Sequence, residues 1–225
     1  MLTCNAGRDM IAMILAAGRG ERLRPITDNV PKALVEVDGE SLIERHLGNF
    51  KSAGVDTVVI NLGWLGEKIV ERIGSGSNYG ISVVYSPEGS DVLETGGGIH
   101  RALPMLGNEP FLVINTDVFT DMPMPVSTLG EDDIGQLVLV PRPAHKQRGD
   151  FNLVDTQVRN GIDPQLTFSG VAIYRPELFA DCSPGRFSVV PMLRAAADAG
   201  TLCGDVYNGV WEDVGTAERL AALNS

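Results

Sequence analysis

Cysteine, histidine and aromatic side chains are scarce in this 225-residue sequence, which has three Cys, three His and 6% Phe, Trp and Tyr. Cys4, Cys182 and Cys203 are odd in number and far apart, so they support neither a disulfide framework nor a cysteine-based zinc site. A reducing compartment, the cytoplasm, is the expectation. Long hydrophobic runs are missing as well. Nothing approaches the roughly 18 to 20 consecutive apolar residues of a membrane span, and the apolar run 10–17 lacks a signal peptide's charged lead and cleavage pattern. Positive charge is also in short supply. With 18 Lys and Arg against 29 Asp and Glu, the net charge is −11, which argues against nucleic acid or an anionic membrane surface as a partner.

What is present is a chain that is 44% apolar and 21% charged, enough to bury one core. Residues 1–9 are expected to be a leader without order, and residues 10–225 a single domain. Against the acidic background, residues 18–32 hold four cations, Arg19, Arg22, Arg24 and Lys32, and two acids, Glu21 and Asp28.

The periodicity predicts alternating strands and helices, the pattern of a parallel α/β sheet. Buried strands are expected over 10–17, 55–61, 81–85 and 111–114. Ser41-Leu42-Ile43-Glu44 reads as a capping box opening a helix that stops at Gly54. Leu65, Ile69 and Ile73 mark a second helical face. Residues 93–98 read as a glycine-rich loop before a short helix over 99–106. From Gln136 the texture changes to short strands, 136–140, 151–154 and 166–174, taken as a mixed-sheet subregion covering a substrate. A helix over 188–199, a strand over 206–212 and a helix over 216–223 complete the expectation. The fold class is thus α/β, a mixed central sheet flanked by helices.

Four segments carry chemistry. Ala17-Gly18-Arg19-Gly20-Glu21-Arg22 follows a strand, so its glycines let backbone N–H groups approach a phosphate. The spacing fits neither a dinucleotide fingerprint nor a Walker A loop. Glu94-Thr95-Gly96-Gly97-Gly98 places three glycines together, which implies close approach to a flat ligand or a strained turn. Asp117 and Asp213 each end a predicted strand, where carboxylates can hold a hard cation; Asp121 and Glu212 stand nearby as lesser candidates. Residues 142–151 gather Arg142, His145, Lys146, Arg148 and Asp150. His46, His100, Trp64 and Met13 read as structural or pocket wall, and Arg19 and Arg24 as solvated. No Ser-His-Asp or Cys-His nucleophile set is present.

The combination Leu15-Ala16-Ala17-Gly18-x-Gly20-x-Arg22 with Pro31-Lys32-x-Leu34 resembles the signature of the sugar-1-phosphate nucleotidyltransferases. The wording of Glu94 to Gly98 is similar to the N-acetylmuramate-1-phosphate uridylyltransferase branch of that family. The resemblance implies a single Rossmann-like, GT-A-like domain whose partners are UTP and a sugar 1-phosphate. It implies that Ala17, Gly18, Gly20, Glu21, Arg22, Lys32, Glu94, Thr95 and Gly96 bind the nucleotide, with Arg22 and Lys32 catalytic. Asp117 and Asp213 would hold Mg²⁺. Asn115, Arg148, Asp150, Ser169 and Gly170 would face the acceptor sugar phosphate, the basic loop suiting the extra carboxylate of a muramate.

The implied reaction unites two polyanions, whose repulsion must be offset by cations and amide dipoles. It would serve peptidoglycan recycling, in a chain that is a monomer or a weak homo-oligomer. Another sugar (glucose, mannose or heptose) or base stays open, as does a nucleotide-sugar sensor without turnover. Thr116 stands where many relatives have glycine. Regulation through the C-terminal β-helix of longer relatives is not expected, because the sequence ends after its last predicted helix.

Overall fold

The computed structural model describes residues 10–89, 92–125, 127 and 129–225; the expected leader lies outside the described residues. The chain runs through β1 (Ile11–Leu15), a small hairpin β2 (Glu36–Val37) and β3 (Glu40–Ser41), α1 (Leu42–Ser52), β4 (Thr57–Leu62), α2 (Gly66–Ile73), β5 (Ser82–Pro87) and α3 (Glu94–Leu106). It continues through β6 (Phe111–Asn115), β7 (Val118–Thr120), β8 (Gly135–Pro141), β9 (Asn152–Val154), β10 (Gln157–Arg159), β11 (Leu166–Tyr174), α4 (Val190–Ala199), β12 (Leu202–Val206), β13 (Trp211–Asp213) and α5 (Ala217–Leu223).

Nine strands form one sheet in the order β5-β4-β1-β6-β11-β8-β12-β10-β9. β1 lies parallel between β4 and β6, and both its faces are covered. Ala12 and Ile14 join Ile43, Leu47 and Phe50 of α1 on one side; Met13 joins Ile99 and Ala102 of α3 on the other. That double burial is why β1 reads as an unbroken apolar run rather than an alternating one. Phe50 is fully buried, and its truncation to Ala is expected to cost about 3–5 kcal/mol. Ser41 caps α1 as the sequence suggests. Its Oγ accepts from Glu44 N–H at 3.4 Å and donates to the Glu44 carboxylate at 2.6 Å.

From β1 the chain moves outward to β4 and β5, then returns to place β6 on the opposite side of β1. The reversal opens a crevice beyond the carboxyl end of β1, where open α/β sheets bind their ligands. β11 continues the same sheet antiparallel to both β6 and β8, so β8, where the texture changes at Gln136, runs in the direction of β1 and β6 with the reversed β11 between them. No helix among the described residues is long and apolar enough to cross a membrane.

Two expected elements are corrected. Residues 93–98 are not a loop, because α3 already begins at Glu94 and carries all three glycines in its first turns. The strand expected over 206–212 is two strands: β12 pairs with β8 and ends at Val206, whereas β13 starts at Trp211 and pairs with β7. Residues 207–210 separate them and take the chain from the large sheet to the small one.

Candidate active site

The loop after β1 is held by its neighbours. Ala16 N–H donates to Asn61 Oδ1 at 2.6 Å, and Trp64 N–H donates to the Ala17 carbonyl at 3.2 Å, so the end of β4 braces the loop from below. Gly20 adopts φ 62, and its carbonyl accepts from Leu23 N–H and from the Thr27 hydroxyl, both at 2.8 Å. A Cβ on Gly18 would meet nothing within 4 Å, so this glycine faces open space.

That space is a cleft of about 1020 Å³, lined by Ala17, Gly18, Gly20, Glu21, Arg22, Lys32, Glu94, Thr95, Asn115 and Asp117 among the residues expected from sequence. Gly96 is not on the wall. Its Cβ would lie 2.5 Å from the Phe187 ring, that of Gly97 2.2 Å from the Gly185 carbonyl, and that of Gly98 2.6 Å from the Glu88 carboxylate. The close approach that the three glycines permit is therefore to the protein's own chain. The strain expected in this segment sits instead on Glu94, a non-glycine residue at φ 60.

Sequence reasoning missed the floor of the cleft. Glu88 is 6% exposed; it accepts from Asn61 Nδ2 at 2.7 Å and from Leu93 N–H at 2.8 Å. Asn61 thus ties the phosphate-side loop to Glu88, and Glu88 ties both to the start of α3. The rule that singled out Asp117, a polar residue at the carboxyl end of a strand, also finds Asn61 on β4. Arg186 was missed too; it lines the cleft and pairs with Glu94 at 2.9 Å.

The four cations of residues 18–32 have separate fates. Arg19 lies over the Trp64 ring at 5.5 Å, and Arg24 pairs with Asp28 at 3.2 Å. Lys32 Nζ is 2.5 Å from Asp117 Oδ2, with only 12% of its side chain exposed. Arg22 is exposed, lines the cleft and points a guanidinium nitrogen toward Gly215, where a Cβ would sit 3.2 Å away.

β7 and β13 bring the two acids together, with Asp213 opposite Val118 and Val214 N–H donating to the Asp117 carbonyl at 2.8 Å. Asp213 pairs with Arg219 and lies 3.5 Å from His145 Nε2. Asp121 is engaged elsewhere, accepting from the Tyr207 hydroxyl and from Val210 N–H. Among the described residues no group of three His, Cys, Asp or Glu side chains is arranged to hold a metal. Two carboxylates suit an ion that takes one or two protein oxygens and completes its shell with water and phosphate. Beneath them His46 is fully buried, and burial pushes its pKa down to about 4; the neutral ring lies 3.3 Å from the Thr116 carbonyl. That carbonyl can only accept, so Nε2 carries the proton.

Residues 11–151 match the Nucleotidyl transferase family. The chain belongs to that family. It is 47% identical to an N-acetylmuramate alpha-1-phosphate uridylyltransferase of Neisseria meningitidis, over 94% of this chain and 95% of the relative. A protein of the same name from Caulobacter vibrioides is 34% identical over the same shares. The solved structure of HddC from Yersinia pseudotuberculosis superposes with a TM-score of 0.77 at 20% identity, covering 95% of this chain and 97% of that one, a likeness of fold.

In this transferase the residues expected on the acceptor side are not brought together with the cleft wall, Asn115 excepted. Gly170 (φ 82) backs onto Asn115, where a Cβ would lie 2.8 Å from Nδ2. It sits in a register shift of β11 between Phe168 and Ala172, the kind of bulge that re-aims side chains beside a site. Ser169 is buried, its hydroxyl donating to the Val138 carbonyl at 2.7 Å, and Trp211 Nε1 donates to its carbonyl at 2.9 Å. Asp150 accepts from Lys146 and from Phe168 N–H, while Arg148 donates to the Gly161 carbonyl. Beyond Asp213 a second cavity of about 530 Å³ is lined by Arg142, His145, Tyr207, Trp211, Glu212 and Arg219 among others.

Proposed function

We propose that this chain transfers uridylate from UTP to N-acetyl-α-D-muramate 1-phosphate, forming UDP-N-acetylmuramate and pyrophosphate, in cytoplasmic peptidoglycan recycling. The observation that carries this reading is the 47% identity, over nearly the full length of both chains, to a protein of that name. The cleft at the carboxyl end of β1 supports it, with Arg22, Lys32 and Asp117 among its lining residues.

An oxygen of the sugar phosphate bonds to the α-phosphorus as the bond from that phosphorus to the bridging oxygen of pyrophosphate breaks. No general base is needed, because the attacking phosphate is already ionised at neutral pH. Arg22 and Lys32 offset the charge of the two polyanions and of the leaving pyrophosphate. Asp117 and Asp213 would hold Mg²⁺, which supplies further neutralisation at the phosphates. Gly18 leaves room for phosphate oxygens against the loop, while Glu94 and Thr95 border the nucleoside end. The partners are small molecules alone, without nucleic acid or membrane, and the chain acts as a monomer or weak homo-oligomer.

A pyrophosphate-release assay of sugar 1-phosphates against the four common nucleoside triphosphates tests the proposal. The muramate substrate with UTP is expected to be the best pair. Preference for glucose 1-phosphate would remove the muramate assignment and leave the family intact.

A further inference from the structure

Both acids assigned to the metal are already ion-paired in the free protein, Asp117 by a cation far away in sequence and Asp213 by one six residues on. Lys32 holds Asp117 at 2.5 Å. Arg219 of α5 reaches Asp213 through one guanidinium nitrogen, which donates both to its carboxylate and, at 3.0 Å, to its backbone carbonyl. The two side chains are 23% and 22% exposed, so this is a partly buried pair rather than a solvated one.

Helix α5 holds Arg219 in place. Its start is capped by Thr216, and Leu220 and Leu223 pack against Val35, Val37 and Val214. Its end is tied by Asn224, which accepts from Asp38 N–H at 2.9 Å. Arg22 approaches the same point, since a Cβ on Gly215 would lie 3.2 Å from Arg22 Nη2, 3.2 Å from Asp213 Oδ2 and 3.4 Å from Arg219 Nη1.

We propose that Arg219 is the resident counter-cation of Asp213, so that the free protein takes up a divalent ion poorly and accepts it together with a polyphosphate. The inference rests on the assignment of Asp117 and Asp213 to the metal. Charge decides the direction. Lys32 and Arg219 already neutralise the two carboxylates and Arg22 approaches the same point, so a bare dication would have to displace a cation from each acid. A polyphosphate changes that balance, giving Arg22 and Lys32 anionic partners and releasing Asp117 from its pair. Arg219 then has the second cavity on its other side as an alternative position. Arg219 is a positioning residue in this account, acting through Asp213.

The test is binding of Mn²⁺ alone, measured by electron paramagnetic resonance on the purified protein and on Arg219→Ala and Arg219→Gln; the Gln side chain keeps part of the stem packing if Ala loosens α5. Both variants are expected to bind Mn²⁺ up to about fivefold more tightly than the natural protein, the gain expected when a competing ion pair is removed. Unchanged affinity in the folded variants, or tight Mn²⁺ binding by the natural protein without a polyphosphate, would overturn the proposal. A third protein, Arg219→Ala with Asp213→Asn, separates the two levels. Loss of the gain supports action through Asp213, whereas a gain that persists removes Asp213 from the metal assignment itself.

Discussion

Two glycine-rich segments border the same cleft, and they use glycine for opposite purposes. Gly18 has open space where a side chain would be, on the side from which a ligand enters. Gly96, Gly97 and Gly98 have protein there instead: the Phe187 ring, the Gly185 carbonyl, and the Glu88 and Asn61 side chains. Composition does not distinguish them, since both read as ligand loops. The difference lies in the partner. At Gly18 the first segment leaves open the room that the proposed function gives to phosphate, whereas the second stays thin so that residues 185–189 can clamp the start of α3. That clamp includes Gly97 N–H donating to the Phe187 carbonyl at 3.0 Å and Val189 N–H donating to Thr95 Oγ1 at 3.1 Å.

The sharpest way to test the phosphate side is to remove its charge. Lys32→Ala is expected to lower turnover by at least about a hundredfold, the scale for losing one electrostatic stabiliser. Near-normal pyrophosphate release would remove Lys32 from the chemistry. The two glycine segments should then separate by which property fails. Gly97→Ala forces a Cβ to 2.2 Å from a backbone carbonyl and is expected to destabilise the fold by about 1–3 kcal/mol in a urea titration. Gly18→Ala should leave that titration within about 0.5 kcal/mol and weaken UTP binding instead. If Gly18→Ala unfolded the protein, or Gly97→Ala left it equally stable, the contrast would collapse.

A stability change remote from both segments provides the reference. Burial opposes ionisation of Glu44, but hydrogen bonds from Arg72, Ser41 and Tyr79 outweigh it and bring its pKa from 4.5 down to about 2. A carboxyl lowered in the folded state stabilises above its unfolded pKa and loses that contribution as pH falls through the folded value. Glu44→Gln is therefore expected to cost about 2 kcal/mol at pH 7, after discounting for the exposed Arg72 partner, with the gap closing between about pH 4.5 and pH 2. Turnover should be unaffected. The smallest effect is expected from Arg24→Ala, because Arg24 is spent on Asp28 at the surface; less than a twofold change in turnover is predicted.

The parallel half of the fold was legible because its signals are local. The apolar run of β1, the Ser41 cap and the Gly54 stop each act over a few residues, and each matches the structure closely. The site was legible where a motif is contiguous, as from Ala17 to Lys32. Glu88 was not, because its role comes from β4 and β5 being neighbours, a relation that sequence spacing does not carry, and Asn61, though it ends an expected strand, shows its partners only in the fold. The Arg219 pair with Asp213 spans only six residues, yet no motif marks it; it forms because α5, docked through Leu220 and Leu223, turns Arg219 back onto Asp213. The start of α3 was misread for a different physical reason. Glycine lowers helix propensity by about 1 kcal/mol per residue, but the packing of residues 185–189 overrides that preference.

The account stands or falls most directly on the acceptor and base preference of the purified protein. Pyrophosphate release with Mg²⁺, measured for N-acetylmuramate 1-phosphate and glucose 1-phosphate against each nucleoside triphosphate, is predicted to be fastest for the muramate with UTP. It should be nearly abolished by Asp213→Asn with that pair. Faster release with glucose 1-phosphate, or full activity in Asp213→Asn, would contradict it.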